Sequence, residues 1–135
     1  MKKCNLGITG IEVSEIAFGT AALGLPYGFG CEGTSIIPKE KSSIELLNMA
    51  LDSNVNFFDT ALTYGPSEEI LGKAFKNRRD EAVICTKPNH LCDTFKGQAL
   101  PSDTEIKKSL ENSFTQSLSR LQTDYIDIYM FHNGT

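Results

Sequence analysis

No apolar run in this 135-residue chain approaches the ~20 residues that a membrane helix needs, so no membrane span is expected. The opening MKKCNLGITG has two lysines but no apolar segment of the kind a secretory signal carries, and a cytoplasmic protein is expected. Basic charge is also short. Thirteen Lys and Arg stand against 17 Asp and Glu, for a formal net charge of −4. Without a basic face to replace phosphate counterions, nucleic acid is not an expected partner. Cys4, Cys31, Cys85 and Cys92 form no CxxC pair, so no metal site is expected and they read as free thiols of a reducing compartment. Neither a GxGxxG fingerprint nor a Walker-type loop is read as a phosphate grip. Low-complexity tracts and linkers are missing too, which leaves one domain. What is present is ordinary globular material, 40% hydrophobic and 22% charged. A chain of this length buries roughly two-thirds of its unfolded surface.

The informative stretch is NFFDTALTYGPSEEILG, residues 56–72. A short apolar run stops at Asp59, Tyr64 follows on a polar loop, and Gly65-Pro66-Ser67 opens a helical run. Strand, polar tip, turn and helix start in that order make a βα unit. Ser67 is the expected N-cap, with Glu68 and Glu69 in the first turn. Lys73, Lys76, Arg78 and Arg79 crowd the far end, where cations suit the helix's negative pole.

The rest of the chain repeats the unit. Two alternating runs around Thr9-Gly10 read as a hairpin. Ile16 to Phe18 is a first buried strand, ending at Gly19-Thr20. Residues 21–37 read as a loop in which Tyr27 and Phe29 could line a pocket or anchor the loop. A helix is expected over Ser42–Asp52, with Ile44, Leu47 and Leu51 on one stripe. Residues 82–86 form a strand that ends at Lys87-Pro88, because proline forces an exit from regular structure. Residues 90–100 read as loop. Ser102 and Glu105 make a capping box for a third helix, whose positions 106, 110, 114, 118 and 121 form an apolar face. Residues 125–131 form the last strand, with His132 at its tip.

Parallel neighbours joined by right-handed crossovers point their carboxyl ends the same way. Asp59, Lys87 and His132 are then expected at one end of one sheet, with Tyr64 on a connecting loop. A charged lysine beside a carboxylate and near a phenol favours the phenolate, so the tyrosine could give and take back a proton. A neutral imidazole could hold a carbonyl oxygen. Such a group stabilises an oxygen that becomes negative during reduction, but supplies no hydride, so a redox cofactor is required. A Schiff-base lysine is the competing use of Lys87, disfavoured by the adjacent acid.

These segments resemble the N-terminal half of the aldo-keto reductase family. LGITGIEVS is similar to its opening hairpin and FGT to its first barrel strand. NFFDTALTYGPSEEILG is similar to its DTAxxYG…SExxLG signature, CTKP to its lysine strand and DYIDIYMFH to its histidine strand. The resemblance implies an α/β fold: the first half of a TIM (β/α)8 barrel, with a hairpin, four parallel strands and three helices. It implies a partial domain over residues 1–135, truncated after the fourth strand. Asp59, Tyr64, Lys87 and His132 take the catalytic positions, with Tyr64 as general acid for NADP(H)-dependent reduction of aldehydes or ketones, including sugar-like ones. Gly19, Thr20 and Asp59 are the implied cofactor contacts, and Tyr27, Phe29 and Asn133 the implied substrate pocket. A complete barrel needs eight units and roughly 250 residues, and loops after its last two strands often grip phosphate. The chain alone is therefore expected to be inactive, with self-association through exposed barrel edges. The alternatives are a non-catalytic half-barrel that binds or regulates a partner, or a fragment of an incompletely read gene.

Overall fold

Four short strands among the described residues lie side by side in the order in which the chain makes them. A computed structural model describes residues 1–27, 37–97 and 101–132. The chain opens with an antiparallel hairpin, β1 (Lys3–Asn5) and β2 (Glu12–Ser14), Lys3 opposite Ser14. Its turn is closed by the Leu6 N–H donating to the Ile11 carbonyl at 2.8 Å. Gly7 and Gly10 take positive φ there (56° and 77°), which glycine does at no steric cost. Asn56 fastens the hairpin to the body. Its Oδ1 accepts from the Ser14 N–H at 2.6 Å, and its Nδ2 donates to the Glu12 carbonyl at 3.0 Å.

The main sheet comprises β3 (Ala17–Gly19), β4 (Phe57–Asp59), β5 (Val83–Thr86) and β6 (Ile128–Tyr129), all parallel and in that order. Gly19, Asp59, Cys85 and Ile128 stand in register across it. Among the described residues the sheet does not close, and β3 and β6 are its edges. This is the first half of a TIM-type barrel, as expected.

Three helices cover one face: α2 (Glu40–Asp52), α3 (Ser67–Ala74) and α5 (Asp103–Leu121). Two single-turn helices, α1 (Ala21–Gly24) and α4 (Leu91–Thr94), occur where loop was expected. Four residues are too few to display a helical period, so the sequence could not announce them. The core centres on Phe58, fully buried, with the Phe75 ring at 4.7 Å and the Phe18 ring at 6.1 Å. Leu47, Leu71 and Ile84 pack around it. No helix among the described residues is long and apolar enough to cross a membrane.

The Ser102 capping box forms as expected. The Ser102 N–H donates to Glu105 Oε2 at 2.8 Å, and Ser102 Oγ accepts from the Glu105 N–H at 3.4 Å. Four local expectations are corrected. Ser67 is not an N-cap; Pro66 holds that place, and the buried Ser67 hydroxyl bonds elsewhere. The deep stripe of α5 is Ser113, Ser117 and Leu121, while Ile106, Leu110, Phe114 and Leu118 are half-buried. The helices approach so closely that a Cβ on Gly72 would lie 2.6 Å from the Arg120 carbonyl oxygen, and small residues suit such an approach. Only Lys73 lies in the last turn of α3; Arg78 instead pairs with Asp52 (2.7 Å) and Glu81 (2.8 Å), and Arg79 with Asp127 (2.6 Å). Finally, β6 spans two residues rather than seven. The Asp127 carboxylate accepts the Ile84 N–H at 2.9 Å, which takes a donor that a longer ladder would have used.

Candidate active site

β4 ends on Asp59, and Lys87 follows the end of β5 on the neighbouring strand. The Lys87 ammonium donates to Asp59 Oδ2 at 2.6 Å and to the Thr60 carbonyl at 3.0 Å. The lysine side chain is only 11% exposed, so these two acceptors replace the water it has lost. The Leu62 N–H donates to the Lys87 carbonyl at 3.0 Å, tying the loop after β4 to the tip of β5. That loop carries Tyr64, half-buried, with the Lys87 Nζ 5.6 Å from its ring centroid. Two glycines allow it to lie where it does. A Cβ on Gly24 would overlap the Tyr64 carbonyl, and Gly65 turns at φ 55° against the Gly24 backbone.

His132, beyond β6, meets Tyr64 edge to ring, with centroids 5.5 Å apart and planes at 83°. Its Nδ1 is 3.3 Å from Thr63 Oγ1, and the direction of that bond depends on the tautomer. Burial, with the nearby His90 and Lys87, holds the His132 imidazole below the usual histidine range. A neutral ring at neutral pH follows, able to donate one hydrogen bond and accept another. The geometry therefore gathers Asp59, Tyr64, Lys87 and His132 at the carboxyl ends of adjacent strands.

Behind this group lies a layer of hydroxyls. Thr20 Oγ1 donates to the Asp59 carbonyl at 2.9 Å, Ser67 Oγ donates to Thr20 Oγ1 at 2.7 Å, and Thr60 Oγ1 donates to Ser67 Oγ at 3.2 Å. They lock the tips of β3 and β4 to the start of α3. Below them Glu68 is fully buried, its Oε1 accepting from Thr86 Oγ1 at 2.7 Å. Burial pushes the Glu68 carboxyl above its usual range. The Cys85 thiol is pushed up to about 11, first by burial and then by Asp59, so it is a poor nucleophile.

Gly19, named with Thr20 as a cofactor contact, is exposed, and a Cβ built on it would meet nothing within 4 Å. Thr20 is different. Its side chain is fully buried, its hydroxyl, N–H and carbonyl all bond within the protein, and it braces Asp59. Tyr27 is 69% exposed. Phe29 and Asn133 lie outside the described residues, as does the run GFGCEG (28–33), which has the letters of a GxGxxG pattern but follows no strand directly. Sequence reasoning missed His90, whose ring lies 4.1 Å from that of His132. Its place three residues beyond Lys87, past the proline, was the available signal. It also missed Glu68, which together with Glu69 looked like ordinary first-turn charge. A cleft of about 750 Å³ lined by Lys76, Arg79, Asp124 and Tyr125 lies at the opposite, amino-terminal ends of β5 and β6 and includes none of these residues.

An open half-barrel with an ion pair, a phenol and an imidazole at its carboxyl end is the class that fold and site define. The chain belongs to the aldo/keto reductase family, whose family model matches residues 15–134. It is similar to the aldo-keto reductase YhdN of Bacillus subtilis, at 41% identity over 138 residues, covering 98% of this chain and 38% of that protein. Among solved structures it resembles the holo form of aldo-keto reductase AKR11C1 from Bacillus halodurans, with 34% identity and a TM-score of 0.73, covering 100% of this chain and 41% of that one. It also resembles an aldo-keto reductase from Klebsiella pneumoniae in complex with NADPH, with 26% identity and a TM-score of 0.63, covering 91% of this chain and 36% of that one. The chain thus spans well under half the length of these proteins.

Proposed function

We propose that these residues are the proton-donating part of an NADP(H)-dependent carbonyl reductase, carried on the first four strands of its barrel. The observation that carries the reading is the Lys87–Asp59 pair at 2.6 Å standing beside Tyr64, with His132 set edge-on to the same ring. The Klebsiella relative's complex with NADPH supports the choice of cofactor. The residues present fit one end of such a cofactor: Gly19 leaves open space at the β3 tip, and Asp59 reaches the same edge. The cations near by, Lys87 and Arg120, already bond protein oxygens, so a diphosphate finds little free charge in them.

Bound NADPH would supply hydride to the carbonyl carbon. Tyr64 would pass its phenolic proton to the carbonyl oxygen, giving an alcohol and a phenolate. Lys87, ion-paired to Asp59 at 2.6 Å, would stabilise the negative charge left on that phenol oxygen. Neutral His132 would orient the carbonyl by hydrogen bond. Substrates are small aldehydes, ketones or sugar-like carbonyls, met in the cytoplasm.

The bare chain is expected to show no NADPH-dependent reduction, because productive geometry needs the donor within about 3–3.5 Å of the carbonyl carbon. Joining it to the C-terminal half of a relative such as YhdN should produce turnover, and Tyr64→Phe in that chimera should lower kcat by about 100-fold or more. Turnover that survives Tyr64→Phe would overturn the assignment. Among the described residues the outer sides of edge strands β3 and β6 have no partner strand, and such edges recruit other strands. The bare chain should therefore self-associate, and light scattering from a stable monomer at high concentration would contradict this.

A further inference from the structure

One turn of chain carries ligand chemistry that the Asp59–Tyr64–Lys87–His132 group leaves unused. His90 stands just before α4, and Cys92 and Asp93 lie in that helix. A ring nitrogen of His90, the Cys92 sulfur and an Asp93 carboxylate oxygen all lie within 4.8 Å of one another. Cys92 is an exposed free thiol and Asp93 is exposed, so both side chains can turn without disturbing a core. His90 is half-buried, and its Nδ1 is buried with no hydrogen-bond partner among the described residues. A buried ring nitrogen without a partner needs a water, a donor or a cation to satisfy it.

The donor set is selective. Imidazole nitrogen, thiolate sulfur and carboxylate oxygen together suit a borderline-soft cation that accepts a tetrahedral shell, whereas calcium and magnesium prefer oxygen alone. Zinc bonds of about 2.0–2.3 Å place tetrahedral donors roughly 3.3–3.8 Å apart. Rotating the two exposed side chains by about an ångström closes the present spacing to that range. We propose that His90, Cys92 and Asp93 form a three-ligand zinc(II) site, its fourth position open to water, on the rim of the candidate active site. Binding replaces the thiol proton by a sulfur–zinc bond and releases the proton to solvent. Because the His90 ring lies 4.1 Å from that of His132, an ion there fixes the ring against which His132 packs.

The test uses the whole chain under a non-thiol reductant, with zinc titrated against a chromophoric chelator. One equivalent should bind. Cys92→Ser and His90→Gln should each weaken binding at least tenfold, while Cys4→Ser leaves it unchanged. Cobalt(II) should give a thiolate-to-metal absorption band in the parent chain that Cys92→Ser abolishes with the far-ultraviolet circular dichroism intact. The proposal is overturned by absence of stoichiometric binding, or by a Cys92→Ser chain that binds as the parent does. No nicotinamide or carbonyl enters the assay, so its result is independent of the reductase reading.

Discussion

On the face of the sheet that meets α2, α3 and α5, Phe58, Ile84 and Thr86 are almost wholly buried. On the other face of the same strands Phe57, Val83 and Ile128 are half-buried and Ala17 is exposed, with Cys85 the buried exception among these. Side chains alternate across a strand, so the two sets come from adjacent residues and share one register. The chain's own helices complete one face; in a closed barrel the other would be packed by opposing strands. Stability and chemistry are thus carried by opposite sides. Asp59 and Lys87 belong to the open side, and the bracing by Thr20, Ser67 and Glu68 comes from the closed one.

Three tests probe that contrast, beginning with the largest effect. Phe58→Ala removes a fully buried ring from the centre of the helix-covered core and should cost about 3–5 kcal/mol. Phe57→Ala, one residue away, should cost about a third as much, because its side chain has lost less water. Equal losses in denaturant titrations would show that the open face is as well packed as the closed one.

Gly72→Val comes next. A Cβ at Gly72 would meet the Arg120 oxygen at 2.6 Å and the Leu121 carbonyl at 2.7 Å, backbone that cannot swing aside. We expect a loss of about 1–3 kcal/mol or more. Gly19→Ala, on the open side, should change stability by no more than about 0.5 kcal/mol. Thermal unfolding of the pair measures both.

The smallest effect is a pH dependence at Glu68. Burial raises its carboxyl in the folded chain above the unfolded value of 4.5, so the folded state holds this proton to higher pH. Stability from this group is present below pH 4.5 and is lost as pH rises through the folded value. Glu68→Gln removes that loss. The midpoint of the variant relative to the parent should climb with pH, and a difference that stays flat would show that Thr86 and Arg120 fully offset the burial.

The sequence by itself determined the order of units, the parallel sheet and the set of polar strand tips. Those signals are local: an apolar run stopping at Asp59, a proline after Lys87, a capping box closed within three residues at Ser102 and Glu105. The fixed hand of parallel crossovers then leaves little choice of topology. What it could not decide depends on partners 40 or more residues away. Ser67 has the chemistry of a cap, yet its hydroxyl goes to Thr20, 47 positions earlier. Asp127 reads as a strand residue, yet it takes the Ile84 N–H across 43 positions and ends β6 early. His90 reads as loop until folding sets it against His132, 4.1 Å away. Only the tertiary structure decided these, because a polar side chain accepts whichever partner packing brings to it, and that partner is not written in its neighbours.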